Sequence, residues 1–324
     1  MPLSEFEIIK EFFASQQINT DLVPVGIGDD AAVINTRDDE QLLISVDTLN
    51  LGVHFPQETS AFDIGYKALA VNLSDIAAMG GVPKWFTLAM SMPEANHDWL
   101  ESFTQGLSSL ALQYHLSLVG GDTTRGPLSI TIQIAGTVPN DQSLQRRGAR
   151  VEDDIYVTGT LGDAAAALML CQHKISADVQ TSQRLLQRLN QPVPRVNVGI
   201  ALRGIATSCI DISDGLAADL GHILEAGGVG AELSLAALPR SSAIASLLCE
   251  ETQIQDWQLY GGDDYELCFT APAALRERIQ ALSQSEQCPI TRIGKIIRES
   301  GLFHLDNEEH TPVVIQGYDH FGGV

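Results

Sequence analysis

The sequence predicts a two-domain chain of mixed α/β class, on three observations. Both halves mix short apolar or alternating runs of strand length with alanine- and leucine-rich runs of helical length. A polar, basic, glycine-bearing stretch between residues 139 and 150 separates them, which places one domain at residues 1–140 and the other at 150–324. The 324 residues are 44% hydrophobic, enough to fill two cores of ordinary size, so a disordered chain is excluded.

In the first half, Phe6, Ile8, Ile9, Phe12 and Phe13 give residues 4 to 16 the spacing of a short helix, and a glycine turn follows at 26 to 30. Residues 42 to 49, LLISVDTL, form an apolar run that delivers Asp47 to a sheet edge or loop mouth. A helix lined with Ala, Leu, Ile and Met runs from residue 62 to 79 and stops at Gly80, Gly81 and Pro83. A strand is expected over 85 to 92, a helix over 98 to 113, and a short strand over 116 to 119 that feeds Gly120, Gly121 and Asp122. Residues 129 to 138 alternate Ile130, Ile132 and Ile134 with polar partners, the pattern of a half-buried strand.

The second half opens on IYVTGT, 155 to 160, and an alanine-rich run led by Gly162: strand, glycine turn, helix. Further signals are a helix over 213 to 226, an apolar stretch at 231 to 238, a helix at 240 to 249 and a strand at 265 to 270. No sequence repeat is evident.

Composition narrows the function classes. Forty-one acids against 19 Lys and Arg give a formal charge of −22, which opposes any partner gripped through a phosphate backbone, so nucleic acid is not an expected partner. An enzyme acting on phosphorylated substrates would have to neutralise them with Mg2+ and arginine, because only five basic residues are lysines. The five cysteines, at 171, 209, 249, 268 and 288, lack C-x-x-C spacing and point to a reducing compartment; a cytoplasmic location is expected. The first residues are acidic (Glu5, Glu7), and no apolar run approaches the ~18 residues of a membrane span, so neither secretion nor a membrane partner is expected.

Six windows bring acids to turns or element ends: GIGDD (26 to 30), SVDT (45 to 48), NLSDIAAMGG (72 to 81), GGDTT (120 to 124), DISDG (211 to 215) and GGDDYEL (261 to 267). Glycine lets several backbone segments approach one ion or phosphate, and Mg2+ takes hard oxygen ligands while keeping waters and substrate phosphates. An acidic chain also makes many Asp turns with no function. Asn72 and Asp75 lie three apart on one helix face, inside an apolar run where a cap is not needed. Asp211 and Asp214 stand at a helix start, where Asp serves equally as cap or ligand.

His54, in a loop past Gly52, is a substrate contact or a structural histidine, and Arg146, Arg147 and Arg150 are a phosphate grip or a solvated linker. The aromatic tail at 318 to 321, YDHF, is a platform for a planar cation or a terminal packing element. No G-x-x-x-x-G-K-[ST] loop, G-x-G-x-x-G turn, G-x-S-x-G elbow or H-E-x-x-H pair occurs.

Taken together, GIGDDAAV, ISVDTL, KALAVNLSDIAAMGG, LVGGDTT, IYVTGTLGD, CIDISDG, GGDDYELCF and GYDHF resemble the thiamine-monophosphate kinase family over essentially the full length. More broadly they resemble the superfamily of aminoimidazole ribonucleotide synthetase, selenophosphate synthetase and the hydrogenase maturation protein. The resemblance implies a two-domain aminoimidazole ribonucleotide synthetase-like fold with an N-terminal domain that pairs into a homodimer, and ATP in the cleft between domains. It implies ATP- and Mg2+-dependent conversion of thiamine monophosphate to thiamine diphosphate, with several Mg2+ ions held by Asp30, Ser45, Val46 through its backbone, Asp47, Asp75, Asp122, Asp211 and Asp214. Gly121, Asp122, Arg146 and Ser213 would lie along ATP, and His54, Glu266 and Tyr318 along thiamine phosphate.

Two departures stand out: Asp263 and Asp264 occupy a stretch where the family often has Glu, and Tyr318 stands where some relatives carry tryptophan. The superfamily rivals fit less well. Selenophosphate synthetase needs a reactive residue near the N-terminus, and the first cysteine is Cys171; the hydrogenase maturation protein needs a C-terminal cysteine, and the sequence closes on Gly322, Gly323 and Val324. From another class, a binding protein without turnover is the rival, and ADP release that depends on thiamine monophosphate separates the two.

Overall fold

The computed structural model describes residues 8–13, 23, 37–306 and 309–318. The chain divides into two compact units, Met1–Ile76 with Gly81–Asp141, and Ala77–Gly80 with Gln142–Val324.

The first unit contains β1 (Glu40–Asn50), α1 (Ala61–Ala78), β2 (Val82–Met92), α2 (His97–Gln113), β3 (Ser117–Arg125) and β4 (Ser129–Pro139). The described part of the expected N-terminal helix is a π-helical turn, Ile9–Phe13. Sheet order is β1-β4-β2-β3, with β4 antiparallel to both neighbours and β2 parallel to β3. The period-2 pattern sorts β1 into two faces. Leu49 is buried and Leu43, Ser45 and Asp47 half-buried on one face, whereas Leu42, Ile44 and Val46 on the other are 45%, 57% and 59% exposed.

Helices α1 and α2 touch backbone to backbone, because a Cβ on Gly65 would lie 2.1 Å from the Phe103 carbonyl oxygen and one on Gly106 would lie 1.9 Å from that of Phe62. Asn96 caps α2 by accepting the Trp99 N–H at 3.0 Å. The end of α1 is a Schellman closure: the Gly80 N–H reaches Ala77 O at 2.9 Å and the Gly81 N–H reaches Ile76 O at 2.8 Å.

The strand expected to end at residue 119 continues to Arg125, so Gly120, Gly121 and Asp122 lie inside β3 rather than in a turn after it. The pairing of β2 with β3 slips between Phe86 and Thr87, and a Cβ on Gly121 would stand 1.8 Å from Leu88 O. The glycine pair thus permits an irregular strand to hug its neighbour.

The second unit contains β5 (Asp153–Thr158), α3 (Asp163–Cys171), α4 (Val179–Asn190), α5 (Val196–Ala201), β6 (Ser208–Asp211), α6 (Leu216–Gly227), β7 (Gly230–Leu233), α7 (Ser242–Ala245), α8 (Glu251–Tyr260), β8 (Leu267–Pro272), α9 (Arg276–Ser285), β9 (Ile290–Ile297), β10 (Gly301–Asp306) and β11 (Glu309–Pro312). Its sheet runs β11-β10-β7-β9-β5-β8-β6. One core packs α6, through Leu216, Leu220 and Leu224, against Ile155, Val157, Ile210 and Ile296 of the sheet. A second core gathers Ala164, Leu185, Leu189, Ile244 and Trp257 from α3, α4, α7 and α8.

The helix expected over 240 to 249 is the single turn α7: Ala243 and Ile244 are buried, but Leu248 is fully exposed and a new helix starts at Glu251. The helix expected from residue 213 begins at Leu216, which leaves 213–215 as a loop. Among the described residues no helix is long and apolar enough to cross a membrane.

Candidate active site

In the first unit, the strand-and-helix arrangement brings Ser45 and Asp75 together. The Ser45 hydroxyl donates to Asp75 Oδ2 at 2.5 Å, and Asp47 lies two residues along β1 on the same face. Val46 points its side chain to the opposite, exposed face, so only its backbone is available on the Asp75 side. One turn before Asp75, Asn72 is fully buried; its amide nitrogen donates to Ala68 O at 2.9 Å, and its Oδ1 has no hydrogen-bond partner. The Ser45 hydroxyl and Asp75 carboxylate, with Asp47 on the same face of β1, are oxygen donors that suit a hard cation such as Mg2+.

Other predicted residues of this unit sit apart. Asp122 is exposed on β3, the opposite edge strand from β1, paired in register with Ala89. His54 is half-buried in a tight loop, where Nδ1 accepts the Asn50 N–H at 3.0 Å and the carbonyl accepts from the buried Lys67 ammonium at 3.1 Å. Asp30 lies outside the described residues. Among the described residues, no group of three or more His, Cys, Asp or Glu is drawn together to hold a metal ion.

The second unit is built differently. Residues 212 to 215 link β6 to α6, and every backbone polar group of 212 to 214 is engaged. Ile212 N–H donates to Glu266 O at 2.8 Å and its carbonyl accepts from Tyr265 at 2.8 Å; Ser213 O accepts from Asp263 at 2.9 Å and Asp214 O from Tyr318 at 3.1 Å. The Ser213 and Asp214 N–H groups both donate to Asp219 Oδ2, each at 3.0 Å. Asp211, Ser213, Asp214, Asp263 and Tyr318 therefore meet around one loop. The exposed Arg146 follows Gln145, whose carbonyl accepts the Cys209 N–H of β6 at 2.9 Å, so it enters along the same strand.

Glu266, expected along thiamine phosphate, lies inside the second unit. Its carboxylate is fully buried and accepts from Arg188 at 2.8 Å, from Arg195 through Nε at 2.6 Å and Nη2 at 2.5 Å, and from Thr158 at 2.6 Å. With both oxygens committed to arginines, Glu266 anchors the interior. Asp264 is also buried, its carboxylate receiving the Gly162 N–H at 2.9 Å in front of α3, and burial pushes its pKa well above the ordinary value. Asp263 is the acid of that stretch beside Ser213, half-buried, with φ at +68° and its Oδ1 accepting from Tyr265 at 2.9 Å. The signal for Glu266 is the largely apolar run LCFTA that follows it: Leu267 to Ala271 are all buried, and the acid that opens such a strand is drawn inside with it.

Asp219 escaped the sequence reading altogether, because an acid inside an amphipathic helix reads as a solvated position. It is 3% exposed, and burial, with the Asp211 charge next, pushes its pKa up to about 8.

Comparison with known proteins bears on this arrangement. Residues 28–138 match the AIR synthase related protein, N-terminal domain, and residues 150–306 match the AIR synthase related protein, C-terminal domain. The thiamine-monophosphate kinase of Escherichia coli is 45% identical over 323 residues, covering 99% of both chains. The chain belongs to the thiamine-monophosphate kinase family. Members of that family are kinases, and so is this chain. A crystal structure of thiamine-monophosphate kinase from Stenotrophomonas maltophilia is similar at a TM-score of 0.87 and 47% identity, covering 94% of this chain and 97% of that one. A structure of AaThiL complexed with AMPPCP and TMP is similar at a TM-score of 0.77 and 30% identity, covering 91% and 92%. The mixed α/β fold with two sheets is that of the family.

Proposed function

We propose that this chain transfers the γ-phosphoryl group of ATP directly to the phosphate of thiamine monophosphate, giving thiamine diphosphate and ADP. The observation that carries the reading is the fully tied loop at 212 to 214, which holds Ser213 and Asp214 in place beside Asp211, Asp263 and Tyr318. It is supported by full-length similarity to named kinases of this substrate and by the AaThiL complex with an ATP analogue and TMP.

The acceptor dictates what the residues must do. A phosphate monoester has a second pKa of about 6, so it presents an ionised oxygen at neutral pH and no general base is required. The new bond joins that oxygen to the γ-phosphorus as the bond to the β-phosphate oxygen breaks, and the electron pair leaves with ADP. The task left to the protein is positioning two anions in line against their repulsion. Ser213 and Arg146, with Gly121 and Asp122, would lie along ATP. His54 and Tyr318 would contact thiamine phosphate, with Asp263 in the place first given to Glu266.

Mg2+, held by Asp47, Asp75 and Ser45, by Asp122 and by Asp211 and Asp214, with Asp30 and the Val46 backbone, would neutralise phosphate charge. The apolar stripe Leu42, Ile44 and Val46 on edge strand β1 supports a homodimer through the first unit.

The test is product formation by the purified chain with ATP, Mg2+ and thiamine monophosphate. Equimolar thiamine diphosphate and ADP are expected, with neither formed after chelation or without acceptor, and sedimentation should give twice the chain mass. A folded protein that binds ATP and yields no thiamine diphosphate overturns the assignment.

A further inference from the structure

The loop carrying Ser213 and Asp214 leaves two adjacent N–H groups pointing into the second unit, where unpaired donors are costly. The group that meets them is one oxygen, Asp219 Oδ2, at 3.0 Å from each nitrogen. Asp219 sits in the first turn of α6 and its own N–H donates to Gly215 O at 3.0 Å, so the side chain reaches back over the loop that begins its helix. At 3% exposure it is inside the fold rather than on a ligand-facing surface. The lone pairs of that one carboxyl oxygen satisfy both donors at once.

We propose that Asp219 is a positioning residue for phosphoryl transfer, setting the direction of Ser213 and Asp214 through their backbone and touching neither substrate nor metal. The proposal rests on the reading of Ser213 and Asp214 as nucleotide- and metal-facing residues. The geometry itself makes a sharper demand. Because both bonds end on a single oxygen, an asparagine can supply the same acceptor with its amide nitrogen turned away, whereas a side chain acting by its charge cannot be replaced that way.

Asp219→Asn and Asp219→Ala separate these roles. With Asp219→Ala, turnover is expected to fall on the order of 10²-fold, the loss that follows a displacement of about an ångström. Asp219→Asn should retain turnover within about threefold of the parent at unchanged Mg2+ dependence. Amide exchange provides a readout independent of activity: peptides spanning 211 to 219 should exchange faster in the alanine variant and near the parent rate in the asparagine variant, with the β5–β8–β9 peptides unchanged in both. Equal impairment of both variants, with a higher Mg2+ requirement, overturns the proposal in favour of a metal ligand. Parent-like exchange and turnover in the alanine variant also overturns it. If the parent chain forms no thiamine diphosphate, the proposed function fails, while the exchange pattern still decides whether Asp219 holds the loop. Should the alanine variant not fold, the asparagine variant alone carries the decision.

Discussion

The two units hold their acids in opposite ways. In the first, Asp75 from α1 and Ser45 and Asp47 from β1 are brought together by side chains projecting from regular elements, and the link between helix and strand is one hydroxyl–carboxylate hydrogen bond of 2.5 Å. In the second, Asp214 and Ser213 stand on a loop in which every N–H and C=O of residues 212 to 214 is taken up by its neighbours. Side chains on regular elements can rotate to follow a ligand; a loop with no spare backbone group holds its shape before the ligand arrives. On the proposed function, the first region would suit a cation whose coordination changes during turnover, and the second a fixed rest for nucleotide and its metal.

The comparison breaks most readily at the anchor of the second region. Glu266 ties β8 to Arg188 of α4 and to Arg195, while its carbonyl holds Ile212. Glu266→Ala leaves two arginines, 22% and 17% exposed, without their shared anion. Losing one partner of a buried pair costs about 3–5 kcal/mol, so a large drop in the urea midpoint is expected. Asp263→Asn, at the half-buried position three residues earlier, where φ is +68° and Asn is tolerated, should leave that midpoint nearly unchanged and raise the KM for thiamine monophosphate. The reverse pattern would return Glu266 to the substrate and remove Asp263 from it.

In the first region the effect should fall on chemistry instead. Asp75→Asn keeps shape and an acceptor for Ser45 but removes the charge, and turnover is expected to drop at least about 10²-fold with little change in melting temperature. Near-parent activity with parent Mg2+ dependence would show that Asp75 is no ligand and would dissolve the contrast between the two regions.

How far the sequence spoke for each region follows from the physics of its elements. The first was legible because its acids sit on periodic structure: alternation along β1 puts Ser45 and Asp47 on one face, and the helical spacing of α1 puts Asp75 on another. The second was legible as a motif and opaque as geometry. Which acids turn inward depends on pairings between β6, β8 and the 313–318 segment that lie far apart in the chain. The resemblance placed Glu266 along the substrate, whereas the largely apolar run Leu267 to Ala271 that follows it marks a strand buried on both faces. Asp219 carried no local signal, since its partners are backbone groups that any sequence supplies. In α4, apolar Leu185 and Leu189 stand among Gln and Arg, a helix spaced for burial on one side that the acid-rich motifs around it overshadowed.

The smallest expected effect sharpens the comparison by serving as its control. At the other end of β5 from Thr158, Asp154 also holds two arginines: Arg276 at 2.6 and 2.7 Å and Arg292 at 3.0 Å. Burial alone would raise its pKa, but hydrogen bonds from Arg276 and Arg292 more than offset that and hold it below the ordinary carboxylate value. A carboxylate whose folded pKa is lowered stabilises the fold above its unfolded value of about 3.9, and the contribution disappears as pH falls through the folded pKa. Asp154→Asn should therefore be less stable than the parent at neutral pH and should converge with it below about pH 4, as read from urea midpoints across the acid range. Because Arg276 and Arg292 are 54% and 52% exposed, water replaces much of the lost partner, and the neutral-pH loss should be smaller than for Glu266→Ala. Turnover at neutral pH should be unaffected, since Asp154 touches no part of the 212 to 214 loop. A loss of activity as large as that of a loop variant would mean that β5 transmits strain from one arginine clamp to the other, and the two ends of the unit would have to be treated as one device.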